Sequence, residues 1–154
     1  MHLTEAIIEL DPENASVYET NAAALQTELM TLNTEYETGL ATCATDEVVT
    51  SHDAFGYVAE RYNFTIHTIA GISTQDLPSA QTLASLKEEA AEGVNAILLE
   101  ANSVTAYGET LANETGLQTL SINSITFAIP DGSDYLTLIR ANLEAFKTAL
   151  DCNG

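Results

Sequence analysis

The sequence predicts an α/β fold with a four-stranded parallel sheet flanked by helices and preceded by one long amphipathic helix. Two observations predict it. In the first part of the chain, apolar residues recur at a period of about 3.6 residues. In the second part, short apolar runs alternate with helical patterns, and strands separated by helices of this length are joined by right-handed crossovers that make the sheet parallel.

The long helix has a clear start signal at Asp11-Pro12-Glu13. Asp11 can cap the helix, Pro12 suits its first turn, and Glu13 favours the positive end of the helix dipole. The apolar positions that follow share one helix face: Tyr18, Ala22, Leu25, Leu29, Leu32, Tyr36 and Leu40. The pattern predicts one helix of roughly 28 residues that ends between Gly39 and Ala41, with the end of another helix before it at 3–10.

Four β-α units are predicted from Glu47 onward. The strands are expected at 48–50, 65–69, 96–99 and 117–122, and the helices at 53–62, 79–91, 103–115 and from Ser133 or Asp134 onward. Residues 96–99 are all apolar, as expected for a strand covered on both faces. At 154 residues the chain has the size of one domain, and we expect a single lobe over 1–154.

The charge balance excludes some classes of partner. The chain has 4 Lys plus Arg against 23 Asp plus Glu, a formal net charge of -19. Such a surface repels polyanions, so we expect no nucleic-acid partner and no binding to an anionic membrane. The first residues have neither a basic n-region nor an apolar h-region, so we expect a signal sequence to be absent from this chain.

The two cysteines, Cys43 and Cys152, lie near opposite ends of the predicted α/β region. They form no CxxC motif, and the histidines are not at zinc-finger spacing, so a structural zinc site is not expected. Two alternatives remain. The cysteines form one long-range disulfide in an oxidising compartment, or they are two free thiols in a cytosolic protein.

Polar side chains follow three of the four predicted strands. His52 follows the first strand, Glu100 the third and Asn123 the fourth. Because the carboxyl ends of parallel strands lie at one edge of a sheet, these three groups are expected at one edge. They are the candidate metal-ligating residues.

Each candidate has a chemical reason and a structural alternative. His52, at the expected start of a helix, should be held neutral by the helix dipole, and neutral imidazole binds metals. Glu100 can bind metal or hold the second ring nitrogen of a histidine, and Asn123 offers a carbonyl oxygen. Alternatively, His52 is a helix cap, Glu100 a solvated loop acid and Asn123 a turn residue.

Other chemistries have weaker support. The chain has no GxGxxG, no P-loop and no GxSxG motif, and it lacks the acidic pair of a receiver domain. His67 lies within the alternating pattern of the second predicted strand, and we interpret it as a structural or exposed residue. A small α/β enzyme with His52 as general base and Glu100 as its partner remains an alternative, as does an interaction module without metal.

The run Thr50-Ser51-His52-Asp53-Ala54-Phe55-Gly56-Tyr57 closely resembles a motif of the zinc/manganese solute-binding proteins of ABC importers, the ZnuA/TroA-like family. Other segments support this resemblance by their order and spacing: 10–15 (LDPENA), Gly71-Ile72-Ser73 with Pro78-Ser79, Ile97-Leu98-Leu99-Glu100, and Asp134-Tyr135-Leu136 with Asn142-Leu143.

The resemblance implies an extracytoplasmic, two-lobed receptor, in the periplasm or at the cell surface, that delivers a transition metal to an ABC permease and is not an enzyme. This chain would be its C-terminal lobe, with 1–41 as a remnant of the linking helix plus the long helix and 47–154 as the β-α units. In the family this lobe contributes a His or Glu, matched by His52, and an Asp, whose place Asn123 takes. Glu100 matches a family glutamate near the site, and histidine at position 52 favours zinc over manganese.

Two departures from the family limit the expected site. The N-terminal lobe is missing, with His2 matching no ligand motif, and Asn123 removes an anionic ligand. Because tetrahedral zinc takes four ligands, the resemblance implies weak or negligible metal binding by this chain alone. Some family members also carry a disulfide near the last helix, which Cys152 could form with Cys43. Self-association through the lobe face left uncovered is a further expectation.

Overall fold

The computed structural model describes residues 3–70, 79–100, 106–126 and 129–153. His2 and the family-like segment at 71–73 and Pro78 lie outside these ranges. The chain divides into two units, 1–35 and 36–154, which are described separately. No helix in the described ranges is long and apolar enough to cross a membrane.

The first unit is helical. Helix α1 covers Leu3–Leu10, a 3-10 turn covers Pro12–Asn14, and α2 covers Ala15–Gly39, so that its last residues belong to the second unit. The predicted long helix is confirmed, but its first turn is 3-10. Asp11 lies at the N-cap position of that turn without a side-chain cap bond. Its carboxylate instead accepts hydrogen bonds from the Asn14 amide at 2.8 Å and the Tyr18 hydroxyl at 2.7 Å.

The second unit contains the predicted four-stranded parallel sheet, in the order β2-β1-β3-β4. The strands are β1 (Glu47–Thr50), β2 (Thr65–Thr68), β3 (Ala96–Glu100) and β4 (Gln118–Ile122). The helices are α3 (Gly56–Tyr62), α4 (Ala80–Glu92), α5 (Ala106–Thr115) and α6 (Tyr135–Ala149). Every residue of β3 is buried, which confirms the expectation that this strand is covered on both faces.

Alternating strand residues contribute to the core, and aromatic rings form a second cluster. On one face, Val49, Ile97 and Leu99 pack with Leu86 of α4 and Leu111 of α5. Separately, the rings of Phe55 and Phe64 contact the ring of Phe146 in α6, with centroid distances of 5.8 Å and 5.1 Å. Burial of the central strands β1 and β3 fixes the ends of these strands in space.

Helix caps agree with the sequence at two positions. The Ser79 hydroxyl accepts a hydrogen bond from the Thr82 N–H at 3.0 Å, and the Asp134 carboxylate accepts one from the Thr137 N–H at 2.8 Å. The predicted start of α3 is wrong, because the helix begins at Gly56 and not at Asp53, after Phe55 at its N-cap. The predicted start of α5 at 103–105 lies outside the described residues.

Cys43 and Cys152 form a disulfide across a sequence separation of 109 residues. Cys43 lies in the turn between α2 and β1, and Cys152 follows α6. The bond therefore joins the two ends of the second unit. Of the two alternatives that the sequence left open, the structure shows the disulfide.

Candidate metal site

The candidate site lies where the strand order of the sheet reverses. The chain passes from β1 outward to β2 and then returns to β3 on the other side of β1. Ligands of open α/β sheets bind in the crevice at the carboxyl ends of the two strands that flank such a point. His52 lies two residues beyond the end of β1, and Glu100 is the last residue of β3. Topology therefore brings these two residues to the switch point.

His52 and Glu100 form a buried pair. The Nε2 atom of His52 lies 3.1 Å from Oε2 of Glu100, and the two residues are 5% and 1% exposed. The other ring nitrogen of His52, Nδ1, is buried and has no hydrogen-bond partner among the described residues. A buried polar atom without a partner is costly, and a ligand in this crevice could supply the missing interaction.

Backbone contacts hold the two residues at the sheet edge. The Ser51 N–H donates to the carbonyl oxygen of Leu98 at 2.9 Å, which extends the β1–β3 pairing by one residue. The Ser51 hydroxyl accepts a hydrogen bond from the Glu100 N–H at 3.1 Å, and the Thr50 hydroxyl donates to the His52 carbonyl oxygen at 2.9 Å. The His52–Glu100 pair is thus held by the strands themselves.

A third strand end reaches the pair through Ser124, two residues beyond β4. The Ser124 N–H donates to Oε1 of Glu100 at 3.0 Å, and the Ser124 hydroxyl hydrogen-bonds to the same oxygen. Glu100 therefore contacts the residues that follow both β1 and β4. Its burial excludes the alternative of a solvated loop acid.

Asn123 lies at the same sheet edge, half-buried, directly after β4. Its side-chain oxygen accepts a hydrogen bond from the Ile125 N–H at 2.7 Å, a contact typical of an Asx turn. An amide oxygen has two lone pairs, so one acceptor position remains in addition to this bond. The structure gives Asn123 a turn role and places it beside Ser124.

The expected position of His52 at a helix start is wrong. Residues 51–53 form a bend, and α3 begins four residues after His52. The helix dipole therefore does not act on the imidazole at close range, and His52 is not a helix cap. The near neighbour of its ring is the Glu100 carboxylate.

Two residues that support the site were not predicted from the sequence to do so. Ser124 contacts Glu100, and Asn142 of α6 accepts a hydrogen bond from the Asn123 N–H at 2.9 Å. The Asn142 amide also donates to the Asn123 carbonyl oxygen at 2.8 Å. Ser124 carried one usable signal, because it lies at a strand end. A polar residue on the buried face of a helix was the signal at Asn142.

The donor set present in the described residues is incomplete. Those residues contain no group of three or more His, Cys, Asp or Glu side chains that could hold a metal ion. Imidazole and carboxylate are nevertheless donors that zinc accepts in proteins. The chemistry of the pair thus fits one part of a zinc site.

Two other features lie away from this edge. A cavity of about 520 Å³ at the amino ends of β1 and β2 is lined in part by Asp46, Arg61 and Phe64, and none of the three predicted metal-ligating residues lines it. His67 of β2 has its Nε2 atom 3.6 Å from a carboxylate oxygen of Glu47, in agreement with a structural strand residue.

Comparison with known proteins identifies the class. The sequence profile described as "Zinc-uptake complex component A periplasmic" matches residues 1–149, and the chain belongs to this family. Its relatives include the high-affinity zinc uptake system protein ZnuA of Bacillus subtilis, 33% identical over 97% of this chain and 48% of the relative. The zinc-binding lipoprotein AdcA of Streptococcus pneumoniae is 31% identical over 99% of this chain and 32% of the relative.

Solved structures agree with the fold. The Zn(II)-bound ZnuA-like domain of S. pneumoniae AdcA has a TM-score of 0.80 and 30% identity, over 97% of this chain and 58% of that chain. The laminin-binding protein Lmb of Streptococcus agalactiae, a "bifunctional protein with adhesin and metal transporting activity", has a TM-score of 0.88 and 28% identity, over 96% and 58% of the two chains. The chain thus spans about half the length, or less, of the relatives it matches.

Proposed function

We propose that this chain forms the C-terminal metal-site half of an extracytoplasmic receptor that binds zinc and delivers it to an ABC permease. Family membership supports the metal class, because the names of the relatives describe zinc uptake and zinc binding. Those names describe no enzyme. Delivery of the metal to a permease is proposed because the motif at 50–57 resembles that of the solute-binding proteins of ABC importers.

The observation that carries the proposal is the buried His52–Glu100 pair at the switch point of the sheet. Removing a carboxylate from water is costly, and so is leaving a buried ring nitrogen without a partner. Metal-binding histidines commonly have a carboxylate beside their second ring nitrogen, and here Oε2 of Glu100 lies 3.1 Å from Nε2 of His52. In the proposal, His52 donates a ring nitrogen to the metal, and Glu100 orients the ring or supplements it with an oxygen.

Asn123 is proposed as the third contribution from this half. Its side-chain oxygen would be a neutral and weaker donor than the Asp that the family has at this place. Imidazole favours zinc, whereas manganese favours oxygen donors, so the presence of His52 supports zinc over manganese.

Weak binding by this chain alone is part of the proposal. A tetrahedral zinc site needs four donors, and this half would contribute an imidazole, a carboxylate and an amide oxygen at most. The remaining donors would come from the other half of the receptor. Metal would then bind between the halves, where each contributes to one coordination sphere.

The proposed location outside the cytoplasm has two supports. The family is described as periplasmic, and its S. pneumoniae member AdcA is a lipoprotein. The disulfide between Cys43 and Cys152 also suits an oxidising compartment, since such bonds are rare in reducing ones.

Calorimetric titration of the purified chain with zinc tests the proposal. We expect weak binding that is lost in His52→Ala and is retained in His67→Ala, the matched control on an adjacent strand. Manganese should bind more weakly than zinc in the same titration. Zinc binding of equal strength in the wild-type chain and in His52→Ala would overturn the proposed site.

A further inference from the structure

We infer that Ser124 is a positioning residue: it fixes the Glu100 carboxylate against the His52 imidazole and thereby sets the affinity of His52 for metal. The effect on metal affinity rests on the function proposed above. The effect on the imidazole without metal does not, and it can be measured separately.

The geometry at Glu100 carries the inference. Two donors of Ser124, its backbone N–H and its hydroxyl, converge on Oε1 of the carboxylate. The second oxygen, Oε2, faces Nε2 of His52 at 3.1 Å. Rotation of the carboxylate about its last side-chain bond would remove Oε1 from the Ser124 donors. Ser124 therefore determines which way Oε2 points.

Burial makes these donors important. Glu100 is 1% exposed, so water cannot readily replace the hydrogen bonds from Ser124. Hydrogen bonds to an ionised carboxylate are stronger than those between neutral groups, and they gain strength where the surroundings have a low dielectric constant. The loss of one donor should therefore change the orientation of the carboxylate, because a water molecule would not readily take the place of the lost donor.

Ser124 is itself held in place. The preceding residue, Asn123, has both its backbone N–H and its carbonyl oxygen hydrogen-bonded to the buried Asn142 side chain. The Ser124 hydroxyl also lies 2.7 Å from the hydroxyl of Thr126. These contacts connect α6, the loop after β4, the end of β3 and the residues after β1 in one continuous network.

The consequence for His52 is a fixed tautomer. A carboxylate beside one ring nitrogen of a neutral imidazole stabilises the proton on that nitrogen and orients the ring. Without metal, the carboxylate of Glu100 should hold the ring proton on Nε2. If Ser124 only stabilised its own loop, its replacement would change the stability of the protein but leave the tautomer of His52 unchanged.

The test compares Ser124→Ala, which lacks the hydroxyl, with Ser124→Thr, which retains it, and with Ser121→Ala, an exposed control on β4. The ¹⁵N chemical shifts of the His52 ring are measured without metal at one fixed pH. We expect a single tautomer in the wild-type chain, in Ser124→Thr and in Ser121→Ala, and a mixture in Ser124→Ala. Unchanged ring shifts in Ser124→Ala would overturn the inference.

Zinc titration of the same variants provides the second measurement. Replacing such an outer contact typically costs about 10–100-fold in metal affinity, and we expect Ser124→Ala to lie near the lower end. Equal zinc affinity for Ser124→Ala and Ser121→Ala would overturn the effect on affinity. If the ring shifts change while zinc binding does not depend on His52, the positioning role stands and the proposed function fails.

A third variant covers the case in which Ser124→Ala does not fold. Glu100→Gln keeps the shape of the side chain but replaces one carboxylate oxygen by an N–H donor. We expect it to remove the bias toward the Nε2–H tautomer. A His52 ring that keeps the wild-type shifts in Glu100→Gln would contradict the role of the carboxylate and, with it, that of Ser124.

Discussion

The side chain of Asn142 holds the backbone of Asn123 with two reciprocal hydrogen bonds. Its Oδ1 atom accepts a bond from the Asn123 N–H at 2.9 Å, and its Nδ2 atom donates one to the Asn123 carbonyl oxygen at 2.8 Å. Asn142 is 3% exposed and belongs to the buried face of α6. This contact fixes the loop that follows β4, and with it the position of Ser124 beside Glu100.

Replacement of Asn142 by Ala should destabilise the protein. Both backbone groups of Asn123 would lose their partner in a half-buried position, and an unsatisfied buried group costs about 1–3 kcal/mol. Urea unfolding should show a lower free energy of unfolding by about that amount. Asn113→Ala, in an exposed position of α5, is the control, and an equal effect in the two variants would contradict the structural role of Asn142.

Loss of the disulfide should reduce stability strongly. The bond between Cys43 and Cys152 closes a long loop, with a sequence separation of 109 residues. On the chain-entropy account, such a cross-link contributes roughly 4–5 kcal/mol, mainly by restricting the unfolded chain. The double replacement of both cysteines by Ser should therefore lower the free energy of unfolding by a comparable amount. Wild-type chain unfolded in a reducing agent should match the double variant, and two different results would argue against this explanation.

Gly108 in α5 allows the helix to approach β3 closely. A Cβ atom added at this position would clash with the side chain of Leu99. Overpacking of a filled core costs about 1–3 kcal/mol, so Gly108→Ala should lower the melting temperature and the free energy of unfolding. Gly56→Ala is a matched control, because its Cβ would meet only Asp53 Oδ1, at 3.5 Å. Equal stability of the two variants would show that α5 does not require the glycine.

The N-cap of α6 should make stability depend on pH at the acidic end. Hydrogen bonds from the backbone and then the side chain of Thr137 hold the pKa of Asp134 below its ordinary value. A carboxyl group whose pKa is lower in the folded state stabilises that state above its unfolded pKa, and this contribution is lost as the pH falls through the folded value. Wild-type chain should therefore lose more stability than Asp134→Asn between about pH 5 and about pH 2. Parallel losses in urea unfolding would refute the expectation.

Much of the fold was predictable because its signals are local. The alternation of strand and helix patterns was sufficient for the parallel sheet. Residue type and position predicted the cap at Ser79 and limited the cap of the last helix to Ser133 or Asp134. The start of α3 was not predicted correctly, because Asp53 and Ala54 are residue types that a helix can accommodate. Residues 51–53 form a bend instead, in which the Ala54 N–H hydrogen-bonds to the His52 carbonyl oxygen.

The candidate site was predictable only in part. The strand ends indicated His52, Glu100 and Asn123, and the structure places all three at one sheet edge. Their assignment as metal ligands remains a prediction for titration to decide. Ser124 and Asn142 received no role, because the partners of their side chains lie 24 and 19 residues away in the chain. Residue spacing alone does not show which polar groups meet across such distances.

The sequence by itself determined the order of the elements and the polar residues that end the strands, since periodicity and residue type are properties of neighbouring positions. Only the tertiary structure decided that Oε2 of Glu100 faces His52, that Ser124 holds the other carboxylate oxygen, and that Cys43 reaches Cys152. Those contacts depend on how strands and helices pack after each crossover. Packing is set by the burial of the central strands β1 and β3, to which residues from several helices of the second unit contribute.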